Sequence, residues 1–350
     1  MRLALNSLVF LCVVFPVAHA AGDSLIVLNK SGANVSLIDV DSGAVRLTLK
    51  TDPGPHEVAV SPDGTRAVVA NYGFDGGDGW QDGHTLTVID LTNGVVTDTL
   101  DLGQHFRPHG VQFLADGERV VVTAEAEQAL IVVNVNTGEV VQRVQTDEAA
   151  SHMVSVAAER ALAFVANIGG GSLSIIDLDK GELLKTLRTG DGCEGVDITP
   201  NGQQVWTTNR AANTLSVIDV QRLDIVGEIS CGKFPIRIKF TPDGQRAVVS
   251  CAVSSEVVVF DVRTRKELAR IPLALDIVDD AGMRLFGDTM AESPAPVGVL
   301  IDPSGSRAYI AATNADRVVV IDLETYEVVD TLIAGSEPDG LGWAVAAKDD

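Results

Sequence analysis

Three of the six histidines in the chain stand in the same short sequence pattern. His56, His109 and His152 occur in the strings PHEV, PHGV and SHMV, so a valine follows each of them two residues later. The string CEGV continues the series and puts Glu194 at the corresponding position. Side chains that share one position of a repeat face the same side of successive structural units, so these four are predicted to lie close together.

An arc of three imidazoles and one carboxylate is a common ligand set for a transition metal ion. We therefore predict a metal site formed by His56, His109, His152 and Glu194, with copper or zinc favoured and iron or manganese also compatible. Such a set can leave a coordination position for water or substrate, as a catalytic metal requires. Two alternatives remain open: histidines that only line a wet channel, and a histidine base that acts without a metal.

Four further residues near these positions are candidates for catalysis. His105 or Asp339 could move protons during a reaction. Arg107 and Arg237 flank the same positions, and either guanidinium could hold a substrate carboxylate through two parallel hydrogen bonds. For both arginines the alternative is a structural ion pair between neighbouring repeats.

The elements that must position these residues are short strands in a repeat of about 42 residues. Tight-turn sequences such as PDG at residues 62–64 and PNG at residues 200–202 recur in five repeats. No apolar run is long enough for an independent helix, and four short strands in each repeat are typical of a β-propeller blade. An Asp or Asn that closes the third strand marks the repeat at Asp39, Asp90, Asn134, Asp177, Asp219, Asp261 and Asp322.

The segments DGTRAVVAN at residues 63–71 and NTLSVID at residues 213–219 resemble the YVTN-type propeller repeats of exported bacterial and archaeal proteins. The resemblance covers residues 21–350 and implies an all-β chain that forms one propeller domain. It implies little about function. Similar propellers serve as lactonases, lyases, parts of copper or quinone oxidoreductases, surface proteins and binding scaffolds.

Counting the strands predicts seven blades, each a four-stranded antiparallel sheet. Residues 25–29 align with the second strand of a blade, whereas residues 339–346 align with a first strand. The last blade should therefore be closed by both chain termini, which pairs the edges that an open ring would expose. Strand direction puts the fourth-to-first and second-to-third connections on one face, called the top face below. The four predicted metal ligands start inner strands at this face.

Two insertions, residues 73–85 and 274–294, are predicted to be long loops on the top face, where function usually lies. The first is rich in Gly and Asp and is predicted to be flexible; a lid that presents Trp80 or a calcium-binding turn is the alternative. The second contains Met283 and Phe286 and could cover the channel mouth or pack against a partner.

Residues 1–20 are typical of a secretory signal peptide, with Arg2, an apolar stretch over residues 8–17, and the sequence AHA before Ala21. The apolar stretch is too short for a membrane anchor. We predict a cleaved protein in the periplasm or outside the cell, with no membrane insertion. The net charge of −22 argues against nucleic acid partners, which need a positive surface.

Three cysteines follow the signal peptide, which allows one disulfide and one free thiol in an oxidising compartment. Cys231 and Cys251 map to neighbouring places on the top face and are the favoured pair. Cys193 is either a small buried residue or a further metal ligand.

Two classes of function fit these patterns. One is a metal-dependent exported enzyme that oxidises a small molecule at the channel mouth or abstracts a proton from it, as a lyase does. The other is a non-catalytic scaffold whose top face docks a protein or polymer partner of a periplasmic system. The substrate, the partner and the oligomeric state are left open by the sequence.

Overall fold

The computed structural model describes residues 22–75, 80–284 and 287–346. These residues form seven sheets of four antiparallel strands, which confirms the predicted all-β, seven-bladed propeller. The predicted signal peptide, residues 1–20, lies outside the described residues. Within the described ranges, no helix is long and apolar enough to cross a membrane.

Short strands separated by turns account for nearly all of the described chain. The first fourteen strands are β1 (Ser24–Asn29), β2 (Asn34–Asp39), β3 (Val45–Lys50), β4 (Pro55–Val60), β5 (Arg66–Asp75), β6 (Trp80–Asp90), β7 (Val95–Asp101), β8 (Pro108–Phe113), β9 (Arg119–Ala124), β10 (Ala129–Asn134), β11 (Val140–Gln145), β12 (Ser151–Ala157), β13 (Leu162–Asn167) and β14 (Ser172–Asp177). The other fourteen are β15 (Glu182–Arg188), β16 (Cys193–Ile198), β17 (Gln204–Asn209), β18 (Thr214–Asp219), β19 (Asp224–Ser230), β20 (Pro235–Phe240), β21 (Arg246–Cys251), β22 (Glu256–Asp261), β23 (Lys266–Pro272), β24 (Pro296–Ile301), β25 (Arg307–Ala312), β26 (Arg317–Asp322), β27 (Glu327–Ile333) and β28 (Pro338–Ala344). The helical segments of the described residues are α1 (Gly287–Met290) and the 3₁₀ turns Glu125–Glu127, Ala158–Arg160, Ala281–Met283 and Thr313–Ala315.

Blades are numbered in chain order. Blade 1 consists of β4 to β7, and each following group of four strands forms the next blade up to blade 6. Blade 7 combines β28 with β1, β2 and β3. The first strand of each blade, called the inner strand, contacts the inner strands of both neighbouring blades around the central axis.

The hydrophobic core lies between blades, where second and third strands bury their side chains. Trp206 of β17 is fully buried and packs edge-on against Phe240 of blade 5, with the ring centroids 5.6 Å apart. Because each blade is covered on both faces, its middle strands carry nearly continuous apolar runs in place of strict alternation. Each fully buried aliphatic side chain contributes about 1.5–3 kcal/mol of transfer free energy, so the blades stabilise one another.

The repeated Asp and Gly residues form turns on the face opposite the top face. Asp219 Oδ1 accepts hydrogen bonds from the backbone N–H groups of Gln221 and Arg222, at 2.9 and 2.8 Å, in the turn between β18 and β19. Gly202 has a φ of 66°, a left-handed conformation that glycine adopts without steric cost. The repeat that is visible in the sequence therefore reflects turn chemistry far from the channel mouth.

Both chain termini complete blade 7, as predicted. β28 pairs antiparallel with β1, and Leu25 lies opposite Trp343 in this ladder. Asp23 fastens the ladder by accepting hydrogen bonds from Trp343 Nε1 at 3.0 Å and from the backbone N–H of Ala346 at 2.8 Å. The pairing closes the ring without leaving an open strand edge between the two ends of the chain.

The described part of the first insertion consists of paired strands, where the sequence analysis predicted a loop. β5 and β6 continue beyond the blade as a hairpin, in which Gly73 lies opposite Asp82 and Phe74 opposite Gln81. A Cβ atom at Gly73 would lie 2.1 Å from the carbonyl oxygen of Gln81, so glycine permits a close approach of two backbones there. Residues 76–79, the side chain of Trp80 and the candidate lid residue Phe286 lie outside the described part of the structure.

The second insertion contains α1 and covers one side of the channel mouth. Asn314 Nδ2 donates a hydrogen bond to the carbonyl oxygen of Met290 at 2.9 Å, which holds the end of α1 in place. Arg284 Nη1 donates to Asp316 Oδ1 and to the carbonyl oxygen of Thr313, both at 2.7 Å. The side chain of Met283, in the same insertion, is 87% exposed.

Closure of the ring by β1 can be tested through Leu25, which is fully buried between blades 6 and 7. We expect Leu25→Ala to lower the free energy of unfolding by about 2–5 kcal/mol, because it leaves a cavity in a packed interface. Val45→Ala on the outer strand β3, where the side chain is 48% exposed, should change it by less than about 0.5 kcal/mol. Urea unfolding followed by tryptophan fluorescence measures both. Equal effects of the two substitutions would contradict the closure.

Candidate functional site at the channel mouth

A cavity of about 320 Å³ lies where the inner strands begin at the top face. It brings together all four predicted metal ligands and the predicted catalytic residues Asp339, Arg107 and Arg237. The second residue of every inner strand lines it: His56, His109, His152, Glu194, Ile236, Val297 and Asp339. The repeat register read from the sequence therefore predicted which inner-strand residues share this cavity.

A second repeat position also faces the cavity and was missed by the sequence analysis. It is the residue that directly follows the second strand in six blades, and in blade 1 it is the equivalent residue inside β5, which runs on into the hairpin. Six of its seven members line the cavity; the seven are Lys30, Tyr72, Glu125, Ile168, Arg210, Ala252 and Thr313, and Ala252 is the exception. The same alignment of repeats would have found them, because second strands end at the face where inner strands begin.

A third repeat position shapes the rim through its backbone. The residue before each inner strand has a left-handed conformation in all seven blades, and only two of the seven are glycine. The φ values are 71° at Gly54, 59° at Arg107, 57° at Ala150, 75° at Gly192, 61° at Phe234, 51° at Ala295 and 58° at Glu337. A non-glycine residue in this conformation costs about 1–3 kcal/mol, so packing around the mouth must hold each one there.

The three histidines contact one another through their rings. The ring centroids of His56 and His109 are 4.6 Å apart at an interplanar angle of 74°. Those of His109 and His152 are 3.5 Å apart at 33°. Tyr72 stacks on the other side of His56 at 4.8 Å. All three imidazoles are buried, so their environment and not bulk water sets their protonation.

His152 is held in its charged form by two carboxylates. Its Nδ1 lies 2.7 Å from Glu125 Oε2 and its Nε2 lies 3.7 Å from Glu194 Oε1. Burial alone would lower the pKa of His152, but the hydrogen bond with Glu125 and the nearby carboxylate of Glu194 outweigh it and raise the pKa. Burial likewise opposes ionisation of Glu194, yet the hydrogen bond with His152 and the charges of Arg210 and Arg237 lower its pKa to about 2.

His56 and His109 are held in the neutral form. Burial lowers the pKa of His56 to about 3 and that of His109 well below its ordinary value, and the positive charge of His152 acts in the same direction. The Nδ1 atoms of both rings and Oδ1 of Asp339 are buried and have no hydrogen-bond partner among the described residues. Asp339 Oδ2 lies 3.7 Å from His56 Nε2 and 3.7 Å from Lys30 Nζ. Two neutral nitrogens and a carboxylate oxygen are therefore available to a ligand.

Arg237 crosses the channel directly below the histidines. Its Nη2 lies 2.7 Å from Glu57 Oε1 in blade 1, and its Nη1 lies 3.2 Å from Glu194 Oε1 in blade 4. Blades 5 and 1 are not neighbours, so the ion pair with Glu57 spans the interior of the ring. Both carboxylates compete with any substrate anion for this guanidinium, in line with the structural alternative stated for Arg237.

Arg107 lies at the rim, whereas His105 lies outside the residues that line the cavity. Arg107 Nη2 is 3.0 Å from Glu125 Oε1 and also bonds to the hydroxyl of Tyr72. His105 Nδ1 is 3.7 Å from Glu127 Oε2, away from the other imidazoles. Of the two predicted proton carriers, only Asp339 is placed beside the histidine cluster.

One wall of the cavity is apolar. Ile236 of blade 5 and Val297 of blade 6 pack with Ala295 and with Met290 of α1, and all four side chains are buried. Apart from Arg237 of blade 5, the charged and imidazole groups of the lining come from blades 7, 1, 2, 3 and 4. The cavity is thus amphipathic, and its volume lies near the lower end of the roughly 300–1,000 Å³ range of small-molecule pockets.

No three His, Cys, Asp or Glu side chains of residues 22–75, 80–284 and 287–346 are already arranged to hold a metal ion. The hydrogen bonds of His152 explain part of this result, because both of its ring nitrogens face carboxylates. The cavity atoms left without a hydrogen-bond partner among the described residues include those of His56, His109 and Asp339.

A family model described as YNCE-like beta-propeller matches residues 78–241. This match and the seven four-stranded blades agree with the resemblance found in the sequence. The chain is thus similar to YVTN-type propellers. Members of such a propeller family share a scaffold, and the chemistry must be argued from the site.

Solved structures show the same fold at low sequence identity. The structure titled Kuenenia stuttgartiensis hydrazine synthase aligns over 85% of this chain and 92% of its own, with 18% identity and a TM-score of 0.69. A functionally unknown protein from Desulfotomaculum acetoxidans aligns over 93% of this chain and 99% of its own, with 16% identity and a TM-score of 0.72. A comparison with curated proteins gives no match.

The buried neutral imidazoles predict an acid-sensitive fold. The pKa of His56 is 6.5 when unfolded and about 3 when folded, so the unfolded chain binds more protons between these values. The contribution of His56 to stability should therefore be constant above pH 6.5 and should fall below it, by at most about 1.4 kcal/mol per pH unit. Glu194 stays ionised down to about pH 2 and does not interfere between pH 6.5 and 5.

The free energy of unfolding is measured by urea titration of chelator-treated protein at about pH 7, 6.5, 6 and 5. His56→Gln should show a smaller loss of stability on acidification than the unmodified protein. His84→Gln is the matched control, because the His84 side chain is 45% exposed and lies outside the cavity. Identical pH dependence in His56→Gln and the unmodified protein would contradict the prediction.

Proposed function

We propose that the protein binds a small amphipathic molecule in the mouth cavity, where a transition metal ion held by His56 and His109 acts on it. The observation that carries this proposal is the pair of buried imidazole Nδ1 atoms without hydrogen-bond partners. Burying an unpaired polar atom costs about 1–3 kcal/mol, so a bound ligand that pairs with it is stabilised.

The proposed ligand set differs in part from the one expected from the sequence. His56, His109 and Asp339 each have a nitrogen or oxygen atom that could bind a metal and that no described residue hydrogen-bonds. His152 and Glu194 instead form ion pairs with each other and with neighbouring charged groups. Two neutral imidazoles and a carboxylate suit copper, zinc, iron or manganese, with copper or zinc favoured. His152 and Glu194 would then lie beside the ion and influence its charge and orientation.

The walls of the cavity indicate the kind of molecule that would bind. Its apolar part would contact Ile236, Val297 and Met290, and its polar part would face the histidines. Arg107 at the rim carries the most exposed guanidinium of the site and is the group best placed to meet a carboxylate. With His56 and His109 neutral, proton abstraction and oxidation at a metal both remain compatible with the site.

The proposal places this activity in an exported protein. The sequence features of residues 1–20 support a periplasmic or secreted location. A small-molecule substrate would then enter from the surrounding medium through the top face. The acidic composition disfavours nucleic acid as a partner.

A non-catalytic docking function is the second candidate, and exposed aromatic side chains support it. Phe74 on the projecting hairpin and Phe106 in the loop before blade 2 are both exposed on the top face. Exposed aromatic residues are common in protein interfaces. A protein or polymer partner of a periplasmic system would dock there without chemistry in the cavity.

Metal binding is tested on the full chain after chelator treatment, by titration calorimetry with Cu²⁺ and Zn²⁺ and by elemental analysis. We expect one ion per chain for the unmodified protein. His56→Ala and His109→Ala should each weaken binding by more than the roughly 10–100-fold that loss of an outer-shell partner costs. Binding should persist from pH 7 to pH 5, because burial already keeps the pKa of His56 near 3.

Two controls separate the alternatives. His84→Ala removes a histidine outside the cavity and should leave metal affinity unchanged. His152→Gln should retain the ion if His56, His109 and Asp339 are the ligands, and should lose it if His152 is itself a ligand. Absence of stoichiometric uptake of either ion would overturn the metal proposal and leave the docking function as the better explanation of the top face.

A further inference from the structure

Four of the seven blades fasten the second strand with an Asn, and blade 5 is one of the three that do not. The Nδ2 atom of this Asn donates hydrogen bonds to side-chain oxygens on the third strand; the four are Asn29, Asn167 and Asn209 at strand ends and Asn71, where β5 runs on into the hairpin. In blade 5 the corresponding residue is Cys251, which is fully buried and cannot make this clasp.

A second thiol lies beside Cys251. Cys231, in the connection from blade 4 to blade 5, has its Sγ 3.6 Å from Cys251 Sγ. In blade 4 the equivalent pair is Thr189 and Asn209, where the carbonyl oxygen of Thr189 lies 3.5 Å from Asn209 Nδ2. Two thiols thus occupy the places that a hydrogen-bonded pair occupies one blade earlier.

The backbone holds the two sulfurs together. Cys231 donates its N–H to the carbonyl oxygen of Asn213 in blade 4 at 3.0 Å, and Ala252 donates its N–H to the carbonyl oxygen of Phe234 at 3.0 Å. A Cβ atom at Gly232 would lie 2.8 Å from Cys251 Sγ, so glycine lets the connection pack directly on the thiol. The arrangement is rigid on both sides of the pair.

We propose that Cys231 and Cys251 form a disulfide that fastens the connection between blades 4 and 5 and replaces the Asn clasp. The oxidant is an external disulfide, either a low-molecular-weight one or that of a thiol oxidoreductase. Cys231 is partly exposed, so its thiolate attacks first and releases one external thiol. Cys251, after losing its proton, then attacks the Cys231 sulfur and expels the second external thiol. Two protein thiols are oxidised and one external disulfide is reduced.

The disulfide would also fix one wall of the cavity. Three residues beyond Cys231, Phe234 packs beneath the guanidinium of Arg210, whose Cζ lies 5.1 Å from the ring centroid. Ile236 and Arg237 follow directly and line the cavity. This inference does not depend on the proposed metal or substrate, because it rests on the cysteine pair alone.

The test uses the folded full chain, fully reduced and then treated with oxidised glutathione, followed by alkylation under denaturing conditions and peptide mapping. We expect a disulfide-linked peptide pair containing Cys231 and Cys251. Cys193 should not be oxidised and should be recovered in alkylated form, since it is fully buried and hydrogen-bonded to Thr207. The Tm should rise by several degrees on oxidation, because the cross-link restricts the unfolded chain.

Matched variants make the result specific. Cys193→Ser should keep both the linked peptides and the rise in Tm, whereas Cys231→Ser and Cys231→Ala should abolish both. The substitutions at Cys231 leave the buried Cys251 intact, so a failure to fold does not obscure the outcome. Recovery of both cysteines in alkylated form, or a glutathione adduct that persists on Cys231, would overturn the proposal.

Discussion

Crowding of the seven inner strands around the axis is the constraint on which the site depends. At the third position of these strands four blades carry glycine, and a Cβ atom at Gly298 or Gly195 would lie 2.0 or 2.3 Å from a carbonyl oxygen of the next blade. Arg237 and Glu57 place long charged side chains at this level and pair across the channel. The side chains at the second position of the inner strands therefore share a small space, and the ion pair of Arg237 and Glu57 lies below them.

Because that space has a low dielectric constant, the nearest charges determine whether each imidazole is protonated. One of the three imidazoles is charged and two are neutral. His152 has carboxylates from blades 2 and 4 on either side, and their attraction exceeds the cost of burying its charge. His56 and His109 stand next to this charge, and only Asp339 offers His56 a carboxylate. One charged imidazole and two neutral ones are thus in ring contact as a series of three. Solvent-exposed histidines do not reach this arrangement near pH 7.

The sequence was sufficient for the architecture and for the location of the site. Turn residues such as Gly202 and Asp219 are local requirements, so they recur at fixed spacing and make the register countable. The protonation of His152 could not be predicted in this way, because Glu125 reaches it from another blade. The hairpin of β5 and β6 was also missed, since its pairing depends on backbone contacts that leave little trace in composition.

The distribution of residue types around the ring makes the cavity polar on one side and apolar on the other. Blades 1 to 4 and blade 7 contribute ionisable and imidazole groups, whereas blades 5 and 6 contribute Ile236 and Val297 at the same repeat position. All seven positions are equivalent in backbone geometry, so the change from polar to apolar costs the fold nothing in strand pairing. α1 adds Met290 on the apolar side, which strengthens the asymmetry. A ring of similar blades can therefore bind an asymmetric molecule in one orientation, because its repeats carry different side chains at the channel mouth.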